Sequence, residues 1–223
     1  MNITDYILKE IKSLTPKSTV EKAQKLFNDY PITHFNVVEN GVFLGSFSES
    51  DIQTIENKSA LLSDYKHLLT GFFADEKTPV LALLQIFADN DATVIPVLDQ
   101  RKKYLGYYDL CDVLDVFASS PFMNEESETL VIETVENNFS MPRISQIVEV
   151  SRGKLLGYYI SEKKAGNVQV TLKVVTQNIT EIIQTLRRYE YVIVSSHEND
   201  SYLDDLKNRS QYLQKYLNIW WKK

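Results

Sequence analysis

The stretch THFNVVENGVFLGSFSESD, residues 33–51, predicts a strand, a tight turn, a second strand and the start of a helix. Phe35, Val37 and Val38 form the first apolar run, and Asn40–Gly41 is a dipeptide that two-residue β-hairpins favour. Residues 42–47 return as the second strand. Ser48 and Asp51 then supply the hydroxyl and carboxylate that favour a helix N-terminus. The stretch therefore predicts a hairpin that leads directly into a helix.

The same pattern recurs in TVIPVLDQRKKYLGYYDLCDV, residues 93–113. The two regions keep a constant offset of 60 residues up to the hairpin and of 61 after it. The pairs that match are Val20 with Val80, Phe27 with Phe87, Thr33 with Thr93, Gly45 with Gly106, and Asp51 with Asp112. A shift confined to a turn indicates two copies of one supersecondary unit, because loops tolerate insertions and strand register does not.

Helical spacing of apolar residues predicts a leading helix over Asp5–Leu14. In the first copy a helix is expected from a Ser18–Thr19 cap to Asn28, before the hairpin. In the second copy the corresponding helix opens at Thr78–Pro79. A further helix over residues 110–117 closes this half of the chain.

The pattern changes beyond Pro121. Strands are predicted at residues 129–135, 155–161, 168–176 and 191–195, with helices at 144–151 and 179–189. The resulting order, βαββαβ, is that of a ferredoxin-like sandwich. Residues 198–223 predict a terminal helix with a broken leucine stripe, which is expected to pack on the chain or on a partner.

Composition limits the classes of partner. The chain has 223 residues, of which 43% are hydrophobic and 24% charged, an ordinary globular balance. Its net charge of −6 argues against nucleic-acid binding, and residues 1–121 carry 11 basic against 17 acidic groups. Any phosphate site must therefore be local. The sequence has no run of eighteen apolar residues, so a membrane partner is not expected. Its N-terminus lacks the basic segment followed by an apolar run that a secretion signal has, so secretion is not expected either.

Reactive side chains are sparse. Cys111 is the only cysteine, which excludes an intramolecular disulfide and a cysteine zinc cluster and fits a cytoplasmic location. Its place between apolar neighbours on a helix predicts a buried side chain. His34, His67 and His197 are scattered, without metal-binding or catalytic spacing. The sequence therefore predicts no catalytic residue, no metal site and no enzyme.

Two such copies in tandem resemble a CBS domain pair. The motifs that carry the resemblance are FNVVENGVFLGSFSESD and IPVLDQRKKYLGYYDLCD, in which an Asp lies six residues after the glycine that leads the second strand. The resemblance covers about residues 15–118. It implies that an adenine nucleotide or a related adenosyl compound binds between the copies, and that the protein is regulatory.

The resemblance also implies roles for individual residues. Asp51 would accept hydrogen bonds from the ribose hydroxyls, and Ser48 would face a phosphate. His34 lies where the family often has a basic residue facing phosphate, while Phe35 and Asn36 would present backbone to the adenine. The same residue types at Ser48 and Asp51 also make an ordinary helix cap, which is the alternative interpretation.

In the second copy, Asp112 matches the ribose position, and Ile95 and Pro96 match the positions beside the base. Asp109, however, replaces the hydroxyl. A carboxylate about 5 Å from a phosphate is repulsive by on the order of 1 kcal/mol or more. The second site is therefore expected to be empty, to take an uncharged adenosyl group, or to need a cation.

The βαββαβ segment looks like an ACT-type regulatory domain, on the order of its elements alone. ACT domains commonly bind amino acids at a glycine-containing turn after the first strand, but the turn here, ENNFSMPR, has no glycine. Pairing through helices or sheet edges is therefore the expected role, with small-molecule sensing as the alternative.

Together these features predict an α/β (α+β) protein. The expected divisions are a CBS pair at 1–121 with copies at about 15–57 and 72–118, a linker at 122–128, an ACT-like ferredoxin fold at 129–197 and a helix at 198–223. The expected function is sensing of AMP, ADP, ATP or S-adenosylmethionine, with no cofactor required and the signal passed through a homodimer or a partner. A structural dimerisation module without nucleotide is the alternative.

Overall fold

The computed structural model describes residues 3–195. The described chain forms two compact units that divide between Ser120 and Pro121. The terminal helix predicted at 198–223 lies outside the described residues.

The first unit contains two similar sets of elements. The first set is α1 (Val20–Asp29), β1 (His34–Glu39), β2 (Val42–Ser48) and α2 (Glu49–Gln53), and the second is β3 (Ala74–Asp75), α3 (Val80–Asp89), β4 (Val94–Leu98), β5 (Tyr104–Asp109) and α4 (Leu110–Ala118). Short 3-10 helices cover Ile3–Tyr6 and Leu62–Leu68. Both predicted hairpins are present, and Asn40 and Gly41 have the positive φ values of 51° and 80° that the first turn requires.

The two hairpins have the same register. β1 pairs antiparallel with β2, with a bulge between Val37 and Val38. β4 pairs antiparallel with β5, with a bulge between Val97 and Leu98. The bulges lie 60 residues apart, so the repeat predicted from sequence extends to this detail of strand pairing.

The predicted helix over Asp5–Leu14 is wrong. Only Ile3–Tyr6 is helical, and after it Leu8 and Leu14 form isolated bridges to strands of the two copies. Leu8 and Tyr107 exchange two backbone hydrogen bonds of 2.9 and 3.0 Å, and Leu14 pairs in parallel with Val37. Because the backbone groups of Leu8 and Leu14 bond to β5 and β1, this apolar segment is held by the strands and does not form a helix.

A matching segment joins the two copies. Thr70 and Ser46 exchange two backbone hydrogen bonds of 2.9 Å, as Leu8 and Tyr107 do in the other half. Further on, Ala74 pairs in parallel with Val97, as Leu14 does with Val37. The segment before each copy therefore lies against the second hairpin strand of the other copy, and the two copies are interlocked.

Glycine permits this crossing. Gly45 has a φ of +146°, and a Cβ there would lie 2.9 Å from the Leu69 Cβ and 3.0 Å from the Thr70 carbonyl oxygen. Gly106 has a φ of +154°, and its Cβ would overlap the Leu8 carbonyl oxygen. Both the conformation and the close approach exclude a side chain.

Each copy has its own buried cluster. The first cluster is centred on α1, β1 and β2, and its fully buried members include Leu14, Val20, Phe35, Phe47 and Ile52. The second is centred on α3, β4 and β5, and its buried members include Leu83, Ile95, Val97, Tyr108 and Val113. Val94 and Tyr107 of the second copy belong to the first cluster, which again shows that the copies fold as one body.

The second unit consists of α5 (Pro121–Asn124), β6 (Glu128–Val135), α6 (Met141–Val150), β7 (Lys154–Lys164), β8 (Asn167–Val175), α7 (Ile179–Arg188) and β9 (Val192–Ile193). The sheet order is β7-β8-β6-β9, with every neighbouring pair antiparallel. α6 and α7 pack on the sheet around one apolar core that includes Leu130, Val170, Ile144 and Ile183. This is the ferredoxin-like topology, so the predicted fold class is confirmed.

Candidate functional site

The two copies meet at a pair of equivalent threonines. The backbone N–H of Thr33 donates to the Thr93 Oγ1 at 3.0 Å, and the N–H of Thr93 donates to the Thr33 Oγ1 at 2.9 Å. These residues precede β1 and β4 at equivalent positions of the repeat. The reciprocal bonds therefore mark the pseudo-twofold axis, and the candidate site lies beside it.

Ser48 and Asp51 lie together where β2 leads into α2. The Ser48 Oγ accepts from the Asp51 backbone N–H at 3.1 Å and donates to the Asp51 Oδ2 at 2.7 Å. Ser50 lies beside them, its Oγ 3.0 Å from that of Ser48. Both predicted side chains are half-buried and form the expected cap. Because a carboxylate has about four acceptor positions, Asp51 keeps the capacity to accept from a ligand.

His34 is buried beside this pair, with 7% of its surface exposed. Its Nδ1 lies 2.9 Å from the Thr33 Oγ1, and the Phe72 ring meets its ring edge-on at 5.1 Å between centroids. Burial lowers the pKa of His34, and the carboxylates of Asp51 and Asp91 oppose that shift. His34 is therefore neutral at neutral pH and carries no cation for a phosphate in this conformation.

Asn36 forms a polar network inside the apolar interface. Its Oδ1 accepts from the Ser46 Oγ at 2.9 Å, and its Nδ2 donates to the Tyr104 hydroxyl at 3.1 Å. Asn36 is 6% exposed and Ser46 is fully buried. Burial raises the pKa of Tyr104 to about 12, partly offset by the Asn36 bond. The Asn36 to Tyr104 bond joins the first copy to the second.

The inter-repeat cleft, defined here by the residues around Asn36 and Tyr104, is nearly closed. It holds a cavity of about 10 Å³, room for about one water molecule. Its lining residues are Ile11, Lys12, Ser13, Ile32, His34, Phe35, Asn36, Val94, Tyr104 and Tyr107. Three of the predicted ligand-contacting residues thus lie together in one cleft. The ring of Phe35 also packs edge-on against Phe27 in the core, 4.8 Å between centroids.

The second copy differs at the equivalent junction. Asp109 caps α4, and its Oδ1 accepts from the Cys111 N–H at 2.8 Å. Burial, then Asp109, Asp115 and Glu10, raise the pKa of Asp112. Ile95 and Pro96 are buried in β4. This junction therefore has a carboxylate at the cap position where the first junction has the Ser48 hydroxyl, although Glu49 and Asp51 also place two carboxylates in the first turn of α2.

Two features of this region differ from the sequence-based interpretation or escaped it. Cys111 is exposed, because it lies on the outer face of α4 while Val113 and Val116 face the core, so its predicted burial is wrong. Tyr104, Tyr107 and residues 11–13 were not recognised as lining the cleft. The match of Tyr104 with Phe43 in the repeat was the available signal, since a hydroxyl gained at one of two equivalent positions indicates a local polar partner.

Two kinds of feature, a metal-binding cluster and a membrane-spanning helix, are not found in residues 3–195. Within that range no three His, Cys, Asp or Glu side chains are grouped so that they could hold a metal ion. Over the same range no helix combines the length and apolar character needed to cross a membrane.

Family comparison agrees with the geometry of the first copy. Residues 3–56 match the family model described as CBS domain. The matched range includes the extended segment before α1, as well as the hairpin and the junction at Ser48 and Asp51.

Solved structures of CBS domain proteins are similar to about half of the chain. A CBS domain pair/ACT domain protein from Thermotoga maritima is 18% identical, with a TM-score of 0.47, over 52% of this chain and 96% of that one. The CBS domains of a transcriptional regulator from Streptococcus pneumoniae are 18% identical, with a TM-score of 0.45, over 52% and 98%. CBSX2 in complex with AMP is 17% identical, with a TM-score of 0.43, over 52% and 95%.

Proposed function

We propose that this protein is a regulatory, non-catalytic module that binds an adenine nucleotide or another adenosyl compound between its two repeats. The observation that carries the proposal is the Ser48 and Asp51 pair, joined by a hydrogen bond of 2.7 Å within the segment that matches the CBS domain. Asp51 would accept from the ribose hydroxyls, and the Ser48 hydroxyl would turn to a phosphate oxygen. The chemistry suits a ribose phosphate, because it offers donors to a carboxylate and acceptors to a hydroxyl.

Binding would require the inter-repeat cleft to open. A cavity of about 10 Å³ is far smaller than the roughly 300 Å³ or more of a small-molecule site. A ligand that binds only an open arrangement of the copies shifts the population toward that arrangement, by no more than its difference in affinity for the two states. The change in the relative position of the copies would then be the regulatory signal.

The signal would pass through a homodimer or through a partner protein. In this proposal the second unit is an ACT-like domain that pairs through its helices or a sheet edge. Its topology supports the assignment, since the sheet order and antiparallel pairing are those of a ferredoxin-like fold. The predicted domain limits and the absence of nucleic-acid and membrane partners are part of the same proposal.

The second junction is proposed to bind a phosphate poorly. Asp109 and Asp112 lie at the start of α4, and the pKa of Asp112 is raised by burial and by neighbouring carboxylates, Asp109 first. A phosphate placed there would add negative charge to an acidic site. An uncharged adenosyl group remains compatible with it.

A specific observation favours a second function, a structural interaction module that binds no nucleotide. Asn36, Ser46 and Tyr104 satisfy one another inside the cleft, and Phe72 covers His34. A cleft filled in this way needs no ligand to satisfy its polar groups. In that case the interlocked repeats would serve only to assemble the protein with a second copy or a partner.

Titration calorimetry of the full chain with AMP, ADP, ATP and S-adenosylmethionine separates the two functions. The proposal predicts saturable heat and a rise in melting temperature for at least one of these ligands. No heat and no shift at about millimolar ligand, a concentration at which even weak binding is seen, would contradict the proposal and support the structural module.

A further inference from the structure

The two repeats are equivalent in backbone but not in the side chains that close them. Asn36 and Tyr104 correspond to Pro96 and Phe43 in the opposite copies, at offsets of 60 and 61 residues. Neither Pro96 nor Phe43 has a side-chain hydrogen-bonding group. The hydrogen bond that crosses between the copies at Asn36 therefore has no equivalent on the other side of the pseudo-twofold axis.

The bond lies in the inter-repeat cleft, which also holds His34 and Phe35, two residues predicted to contact a ligand. Asn36 and Tyr104 both line the cavity of about 10 Å³, together with His34 and Tyr107. Tyr104 opens β5, and its backbone N–H donates to the Gly41 carbonyl oxygen at 3.0 Å. Separating the copies enough to admit an adenosyl group would part the Asn36 Nδ2 from the Tyr104 hydroxyl, now 3.1 Å away.

We propose that the Asn36 to Tyr104 hydrogen bond is an autoinhibitory latch that holds the inter-repeat cleft closed until a ligand replaces it. The inference deepens the proposed function and rests on it, because it concerns the regulation of the same cleft. The bound ligand must offer an acceptor to the Asn36 Nδ2, whose Oδ1 stays held by the Ser46 Oγ at 2.9 Å. A ligand without such an acceptor would leave a buried amide donor unpaired, which disfavours it.

The latch sets the size of the expected effect. The apparent affinity of a ligand is reduced by the fraction of molecules that are open. A neutral hydrogen bond changes an equilibrium constant by about two- to tenfold. Removing the latch should therefore tighten ligand binding by about that factor without adding any contact to the ligand.

Tyr104→Phe tests the latch, because it removes the hydroxyl and keeps the ring. Titration of the full chain with AMP should give a dissociation constant about two- to tenfold lower for Tyr104→Phe than for the wild type. Tyr6→Phe is the control, since Tyr6 is a 37% exposed tyrosine of the same unit, outside the cleft lining, and should leave the constant unchanged. An unchanged or weaker affinity for Tyr104→Phe overturns the latch.

Hydrogen exchange without ligand keeps the latch separate from the proposed function. Loss of the bond should make the backbone amide at position 104 exchange faster in Tyr104→Phe than in Tyr6→Phe, because the cleft opens more often. If neither the variants nor the wild type binds AMP, AMP is not the ligand of the proposed function. The exchange rates alone then test whether the hydrogen bond holds the cleft closed. Faster exchange supports the latch, and equal exchange in the two variants overturns it.

Discussion

The two copies of the first unit have the same backbone arrangement and different junctions. Each has a bulged hairpin, a glycine crossed by the segment that precedes the other copy, and a threonine on the pseudo-twofold axis. The first junction, however, has Ser48 where the second has Asp109. The comparison shows which positions the interlocked fold requires and which remain available for binding.

The required positions are those where backbone approaches backbone. Gly45 and Gly106 are equivalent because the crossing segment leaves no room for a Cβ in either copy. The available positions line the cleft, where Asn36 faces Tyr104 although the equivalent residues are Pro96 and Phe43. We infer that the two copies differ in binding because of the side chains in the cleft and at the junctions.

The largest expected effect on stability comes from adding a Cβ at the glycines over which the crossing segments pass. Gly106→Ala should lower the free energy of unfolding by about 3 kcal/mol or more, because the new Cβ overlaps the Leu8 carbonyl oxygen at a φ of +154°. Gly45→Ala, whose nearest contact would be 2.9 Å, should cost less, about 1–3 kcal/mol. Urea unfolding measures both.

Gly71→Ala is the matched control, since a Cβ at Gly71 would meet no atom within 4 Å. It should change stability by no more than about 0.5–1 kcal/mol. Equal losses of stability for Gly106→Ala and Gly71→Ala would show that the crossing segment is not tightly packed on Gly106. That result would contradict the interlocking of the two repeats.

The junctions should differ in ligand binding. Asp51→Ala should weaken AMP binding by about 10- to 100-fold, since hydrogen bonds to a charged acceptor are worth about 1.5–3 kcal/mol. Asp112→Ala should weaken it less than about threefold, because the acidic junction is not expected to hold the phosphate. Calorimetric titration of both variants gives the ratio. Equal losses would mean that the two junctions contribute alike.

The threonine pair should show coupling across the axis. Thr33→Val or Thr93→Val removes one hydroxyl and leaves the partner's backbone N–H without its acceptor, at a cost of about 1–2 kcal/mol. The loss of unfolding free energy in the double variant should differ from the sum of the two single losses by at least about 0.5 kcal/mol. Urea unfolding of the full cycle tests this, and strict additivity would argue against direct contact.

The smallest expected effect is the pH dependence of stability that His34 of the first copy contributes in the ordinary histidine range. Burial lowers the pKa of His34, so the unfolded chain binds its proton more readily than the folded protein. This residue therefore makes stability fall as pH decreases through the ordinary histidine range, and the loss levels off below the folded pKa.

Urea unfolding at about pH 7.5 and about pH 5.5 should show a flatter dependence for His34→Gln than for the wild type. His67→Gln is the control, because His67 is exposed. If both variants keep the pH dependence of the wild type, His34 does not have the lowered pKa that its burial implies.

Features encoded by neighbouring residues were predictable from the sequence. The Asn40–Gly41 hairpin, the cap at Ser48 and the βαββαβ order follow from turn chemistry and periodicity within a few residues. The segment at residues 7–14 was predicted to be helical because its apolar spacing fits a helix, while its partners lie on strands far along the chain. The contact of Asn36 with Tyr104 spans 68 residues, so only comparison of the two repeats, in which Tyr104 matches Phe43, could point to it.

Crystallisation of the full chain with AMP at saturating concentration tests the central claim most directly. The claim predicts AMP between the copies, with its ribose hydroxyls on Asp51 and an Asn36 Nδ2 to Tyr104 hydroxyl distance well beyond the present 3.1 Å. A cleft that stays closed around its cavity of about 10 Å³, with no nucleotide beside Asp51, would contradict it.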